Sequence, residues 1–215
     1  MIYCINALFF CILHKYSAQN YVFRVVWRTI WRLTATRTIR NRHCNMDFAE
    51  IYKNRYSVRS FSSAKVEKEK LERILGAVKL SPTALNHQPY QIYVAQTEDG
   101  LEKVKRALAP DYGQPIVFIV CSERNNTLQN RYSGQDNVLQ DIGIIGATIL
   151  YAAKNEGLGS CYVCNFDPKA LQNELTLGEE FIPECLIFIG YPSEKAAPSE
   201  RHSIRRTTEE FVTFI

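Results

Sequence analysis

Arg55, Ser57 and Arg59 alternate within RYSVRSF, residues 55 to 61, and alternate side chains of an extended segment leave from one face. Two guanidiniums flanking a hydroxyl provide forked, charge-assisted donors plus a neutral one, the set that a phosphate dianion takes up. An ordinary solvated basic turn fits the same spacing equally well. A second pair, Arg205 and Arg206, lies in the tail RHSIRRTTEEFVTFI. It completes a phosphate clamp only if the tail folds back.

Residues 81 to 90 read SPTALNHQPY, with two prolines, amides and hydroxyls but no Asp, Glu, Lys or Arg. Solvated loops usually carry charge and core segments carry fewer amides, so this loop calls for a neutral hydrogen-bonding partner. Other chemistry is sparse. Cys161 and Cys164 form a CxxC, yet strand positions three apart face opposite ways and no second pair or nearby His completes a zinc set. His87 and His202 stand alone, and no Ser/His/Asp order suggests a hydrolase. Neither GxGxxG after a strand nor GxxxxGK[ST] occurs, which argues against a Rossmann dinucleotide site and a P-loop, so phosphate binding, if present, must use side chains. A phosphate clamp without an acid, base or nucleophile suits a cofactor enzyme, in which the protein orients and the cofactor reacts.

The elements that must position these groups follow from periodicity. Asp47 and Glu50 have the spacing of a capping box at the start of a first helix. Residues 66 to 80, with Leu71, Ile74, Leu75 and Val78, form an amphipathic helix that the 81–89 loop ends. Strands are expected at 90–95, 115–122, 160–166 and 184–192, and a short helix at 101–108. Residues 136 to 155 form a helix that is apolar on more than one face, which puts it at the centre of the domain or in a subunit interface, the interface being favoured in so small a domain, and Gly157 stops it. Asp167 and Pro168 open another helix. Phe211, Thr213 and Ile215 alternate as a segment able to pair with a sheet edge. Strands interleaved with helices indicate a layered α/β or α+β domain.

The 215 residues carry a net charge of +4, with 46% apolar content, ample for one core. Seven basic residues and no acid lie before Met46, leaving 19 positive against 22 negative charges beyond it. The basic balance therefore belongs to residues 1–45, read as a basic extension that is either disordered or a mis-called start, with 46–215 as the domain. A presequence or amphipathic anchor is the alternative, because Arg24, Arg28 and Arg32 share a helical face beside Trp27 and Trp31. The apolar run from Ile5 to Leu13 is too short to span a bilayer. The cysteines after Met46 show no disulfide-rich pattern, which favours a reducing, cytoplasmic setting.

RYSVRSF, SPTALNHQPY, GLGSCYVCNFD and a late arginine before EEF, in this order over residues 46 to 215, resemble the nitroreductase family of FMN-dependent oxidoreductases. The resemblance implies an α+β fold with a central mixed or antiparallel sheet flanked by helices, in an intertwined homodimer with FMN at the interface. It implies that Arg55, Tyr56, Ser57 and Arg59 belong to the motif that holds the FMN phosphate and flavin edge. Pro82, Thr83, Ala84, Asn86 and Gln88 match the loop that packs on the flavin from the other subunit. Cys164 and Asn165 match the turn whose backbone N–H groups approach flavin N5, where larger members have a glutamate and a glycine. Arg205 matches the late phosphate-binding arginine, with Arg206 as the fallback.

The implied reaction is ping-pong hydride transfer from NAD(P)H to a small-molecule electron acceptor, a nitroaromatic, quinone or relative, with no catalytic side chain, no metal, and neither nucleic acid nor membrane as partner. Alternatives are dehalogenation, enone reduction or flavin fragmentation on the same fold, or a non-enzymatic flavin-binding protein.

Overall fold

The computed structural model describes residues 47–108 and 110–215. The readings made on residues 1–45 lie outside the described residues. Strands β1 (Tyr90–Ala95), β2 (Ile116–Glu123), β3 (Gly159–Val163) and β4 (Phe181–Gly190) form one sheet in the order β1-β2-β4-β3. Every neighbouring pair is antiparallel. Helices are α1 (Phe48–Asn54), α2 (Lys68–Val78), α3 (Glu98–Arg106), α4 (Val138–Asn155) and α5 (Pro168–Glu174).

The sheet is covered on both faces, so its inner strands are apolar on both sides rather than alternating with polar residues. Along β2, Ile116, Phe118 and Val120 enter one cluster with Ile74 and Val78 of α2 and Ile142, Ile145 and Ile149 of α4. The intervening Val117, Ile119 and Cys121 enter the opposite cluster with Val104 of α3 and Leu171 of α5. β4 alternates likewise, sending Ile187 and Ile189 to the first cluster and Leu186 and Phe188 to the second. The result is three layers, an α+β arrangement with the sheet in the middle.

Local chemistry explains most boundaries. Thr97 accepts a hydrogen bond from Gly100 N at 3.2 Å and starts α3 at Glu98, three residues before the expected 101. Asp167 caps α5 through Ala170 N at 2.9 Å, with Pro168 at the first helical position. Gly157 takes a φ of +75° and ends α4, as expected. The capping box at α1 does not form: Asp47 makes no side-chain cap, and Glu50 instead accepts from Asn54 Nδ2 at 2.7 Å. Nor does the tail form a strand. Its last regular element is the short turn Thr208–Glu210, and Phe214 and Ile215 are exposed. Among the described residues no helix is long and apolar enough to cross a membrane.

Candidate functional site

The segment after α1 runs beside β3. Ser57 bridges Ser160 in parallel fashion, and Val58 N donates to Ser160 O at 3.0 Å. Val58 is thereby buried, whereas Arg55 and Ser57 are half-buried and Arg59 is exposed. Burial pushes the Cys161 thiol up, and Arg59, the Ser57 hydroxyl and Arg55 all pull against it. The segment that carries the alternating triad thus lies alongside β3 at Ser160.

Other arginines of the domain are paired. Arg73, Arg106 and Arg124 sit within 2.7, 2.6 and 2.6 Å of carboxylates. None of the carboxylate pairs among the described residues involves Arg55, Arg59, Arg205 or Arg206. The tail does fold back: Tyr56 Oη donates to Ala196 O at 3.5 Å, and the Tyr56 and His202 rings meet edge to face. Arg205 follows His202 by three residues and bonds only its neighbour's carbonyl, Ile204 O, at 2.7 Å. Arg206 lies over the Phe211 ring, 5.6 Å from its centroid. Unpaired guanidiniums beside a hydroxyl are a donor set that fits a phosphate. The sequence leaves His202 without a partner because Tyr56 is 146 positions away.

The 81–89 loop is attached elsewhere. Ser81 Oγ bonds Thr148 Oγ1 at 2.9 Å, and Ala84 N donates to Asp141 Oδ1 at 3.0 Å, both acceptors being on α4. Thr83 Oγ1 accepts from Gln88 N at 3.0 Å, and Gln88 Nε2 donates to Asn86 O at 3.1 Å. Leu85, Asn86 and Gln88 all have φ between 50° and 56°, the left-handed region that non-glycine residues occupy at a cost. Pro82, Asn86 and Gln88 are exposed, as is Leu85, while Thr83 and Ala84 are half-buried. No hydrogen bond among the described residues joins this loop to the Arg55–Arg59 segment. Asp141 is the residue that sequence reasoning passed over. It is the only acid between Val138 and Ala153, an anomaly in an otherwise apolar helix.

Beyond β3 the chain turns at Cys164 and Asn165, both exposed. Cys164 O accepts from Phe166 N at 3.2 Å, while Asn165 N donates to no acceptor among the described residues. A free amide donor at an exposed turn suits a polar ligand edge. Burial and then the Glu184 carboxylate push the Cys164 thiol up. Among the described residues no cluster of His, Cys, Asp and Glu could hold a metal ion.

Comparison with known proteins now bears on this geometry. The model of the nitroreductase family matches residues 52–117 and 110–191. A nitroreductase family protein from Clostridium difficile 630 is 32% identical, superposes with a TM-score of 0.74, and covers 79% of this chain and 98% of its own. The FMN reductase [NAD(P)H] of Bacillus subtilis strain 168 is 26% identical over 163 residues, 67% of this chain and 66% of its own. A protein from Exiguobacterium sibiricum 255-15, crystallised in complex with FMN, shares the fold at 18% identity with a TM-score of 0.69, covering 79% of this chain and 98% of its own. With the family model spanning most of the domain and a relative above 30% identity matched along nearly its whole length, the chain belongs to the nitroreductase family.

Proposed function

We propose that this chain is an FMN-dependent NAD(P)H oxidoreductase that works as a cytoplasmic homodimer on nitroaromatic, quinone or related small acceptors. The observation that carries this reading is the set of unpaired arginines, Arg55 and Arg59 flanking Ser57, with the tail bearing Arg205 closed against Tyr56. These side chains would hold the FMN phosphate. Asn165 N would donate to the flavin edge, and Cys164 would lie beside it. Bound there, FMN would supply ping-pong hydride transfer between NAD(P)H and the acceptor. The chain's own work is to bind, orient and exclude water, which is where proximity lowers the barrier.

The homodimer part of the reading is supported by apolar side chains that the single chain leaves exposed. The outer side of α4 exposes Leu139 and Ile144, and α1 exposes Phe48 and Tyr52, with Tyr52 stacked on Tyr151 at 4.2 Å. In this reading the 81–89 loop, held on α4 and unconnected to the arginines by hydrogen bonds among the described residues, would reach a second copy's cofactor. The four described cysteines are free thiols, in keeping with a reducing compartment.

The visible spectrum of the purified protein tests the reading. Yellow protein, or colourless protein that takes up added FMN, supports it; protein that does neither overturns it. Turnover with nitrofurazone, menadione and a halogenated tyrosine then separates nitro and quinone reduction from dehalogenation, and failure of all three to oxidise NADH or NADPH sinks the proposed activity.

A further inference from the structure

We infer that Asp141 is a positioning residue: its carboxylate, reaching from α4, caps the amide of Ala84 and so sets the conformation in which residues 84–88 meet the flavin. The inference rests on the FMN reading for its functional consequence and on geometry alone for the loop.

Ala84 opens a single short helical turn, Ala84–Asn86, whose first N–H groups have no partner within the turn. The residue placed to cap it locally, Thr83, makes no side-chain bond to the turn and spends its hydroxyl on Gln88 N at 3.0 Å. The acceptor comes from 57 positions away, Asp141 Oδ1, at 3.0 Å from Ala84 N. Asp141 is 5% exposed, and no ion pair among the described residues involves it. A buried carboxylate without a cation costs desolvation unless it is hydrogen-bonded, and the Ala84 amide supplies that bond. It lies in the first turn of α4, where the helix dipole favours a negative group.

Thr148, seven residues and two turns further along α4, holds Ser81 at 2.9 Å. One rigid helix therefore grips the loop at both ends of the segment 81–84. The residues that follow, Leu85, Asn86 and Gln88, are left-handed, a geometry their own sequence does not favour. Leu85 is 89% exposed and supplies no burial to hold it. Local bonds such as Gln88 N to Thr83 Oγ1 close the loop on itself, and Glu123 N donates to Pro89 O at its far end; the bonds from α4 fix its near end to the domain, and the Ala84 bond is the one next to the strained run.

Amide hydrogen exchange on the apo full-length protein, together with FMN titration, tests this on Asp141→Ala and Asp141→Asn. Expected for Asp141→Ala are at least about ten-fold faster exchange at Ala84 and about ten-fold weaker FMN binding, as for loss of one charge-assisted hydrogen bond. Exchange in β2 and β4 should be unchanged. Asp141→Asn keeps an oxygen acceptor in place and should restore protection at Ala84 and bring FMN affinity within about three-fold of the parent. Unchanged exchange at Ala84 in Asp141→Ala overturns the inference, as does a loss of FMN affinity in Asp141→Asn equal to that in Asp141→Ala. A parent protein that binds no FMN would sink the proposed function instead, while the exchange arm still decides whether Asp141 holds the loop.

Discussion

The ring of Tyr56 meets the ring of His202 edge to face, with centroids 6.3 Å apart. This contact makes the basic segment after α1 and the C-terminal tail a single surface. It brings the chain that leads into Arg205 and Arg206 back against the Arg55–Arg59 segment, and none of these four arginines is in an ion pair among the described residues.

Removing one arginine from that surface should weaken FMN selectively. Arg55→Ala and Arg205→Ala each delete a charge-assisted donor worth roughly 1.5–3 kcal/mol, so the FMN Kd should rise about ten- to a hundred-fold. Arg206→Ala, whose guanidinium is engaged by Phe211, should change it far less. Parallel fluorescence titrations with FMN and riboflavin read the cause, since riboflavin lacks the phosphate. Equal losses for both ligands would show that the arginines do not face the phosphate.

Gly146 is packed where no side chain fits. A Cβ there would fall on the Tyr162 ring, so Gly146→Ala should cost about 1–3 kcal/mol through overpacking. Gly76, exposed in α2 with nothing within 4 Å of an added Cβ, is the control; Gly76→Ala should gain about 0.5–1 kcal/mol. Urea denaturation of both variants checks the pair, and an unchanged midpoint for Gly146→Ala would contradict the packing.

Thiol reactivity should follow burial. Desolvation pushes Cys121 and Cys185 up to about 12, so near pH 8 almost none of either is thiolate, the reactive form. Cys164 is the exposed cysteine among the four described. Peptide mapping after brief iodoacetamide treatment should find Cys164 modified first, faster as pH rises and slower with FMN bound. Modification of Cys185 at the same rate as Cys164 would refute this ordering.

Acid should loosen the layer formed by α3 and α5. Arg106 Nε donates to Glu174 Oε2 at 2.8 Å and holds that carboxyl below its ordinary value. A carboxyl whose folded pKa is depressed stabilises the fold above its unfolded value, near 4.3, and loses that contribution as pH falls through the folded value. Glu174→Gln should therefore lose less stability than the parent between about pH 5 and pH 3. Urea midpoints across that range decide it; identical acid limbs would remove the pair from the account.

What could be read in the sequence was what depends on neighbours in the chain. Asp167 and Pro168 start α5, and Gly157 ends α4, because caps and stops are local. The strands were legible as apolar runs, although β3 ends at Val163 rather than 166, since Cys164 already turns away. The Arg55, Ser57, Arg59 spacing was visible, but its unpaired state was not, because pairing depends on which carboxylates the fold brings near. The Asp47 box failed when Glu50 found Asn54 one turn on, a competing local bond. The tail's alternation is real, yet a strand needs a free edge beside it, and this chain alone does not place one there. The Asp141 bond to Ala84 spans two elements: the lone acid in an apolar helix is visible in the sequence, but its partner 57 positions away is not.

The strand order has a kinetic side. β1 and β2 are joined through α3, and β3 and β4 through α5, so each outer pair closes over a short stretch of chain. The central pair is different: Ile116 to Glu123 must find Phe181 to Ile189, with all of α4 between them, and the ladder shifts register between Val120 and Cys121. Closing that long connection costs entropy before any contact repays it. The two outer pairs are expected to form before the middle of the sheet, and until it joins, β2 and β4 would present apolar edges to other chains. Synthesis at high concentration is therefore most hazardous for this protein in the interval when both halves exist and have not yet joined.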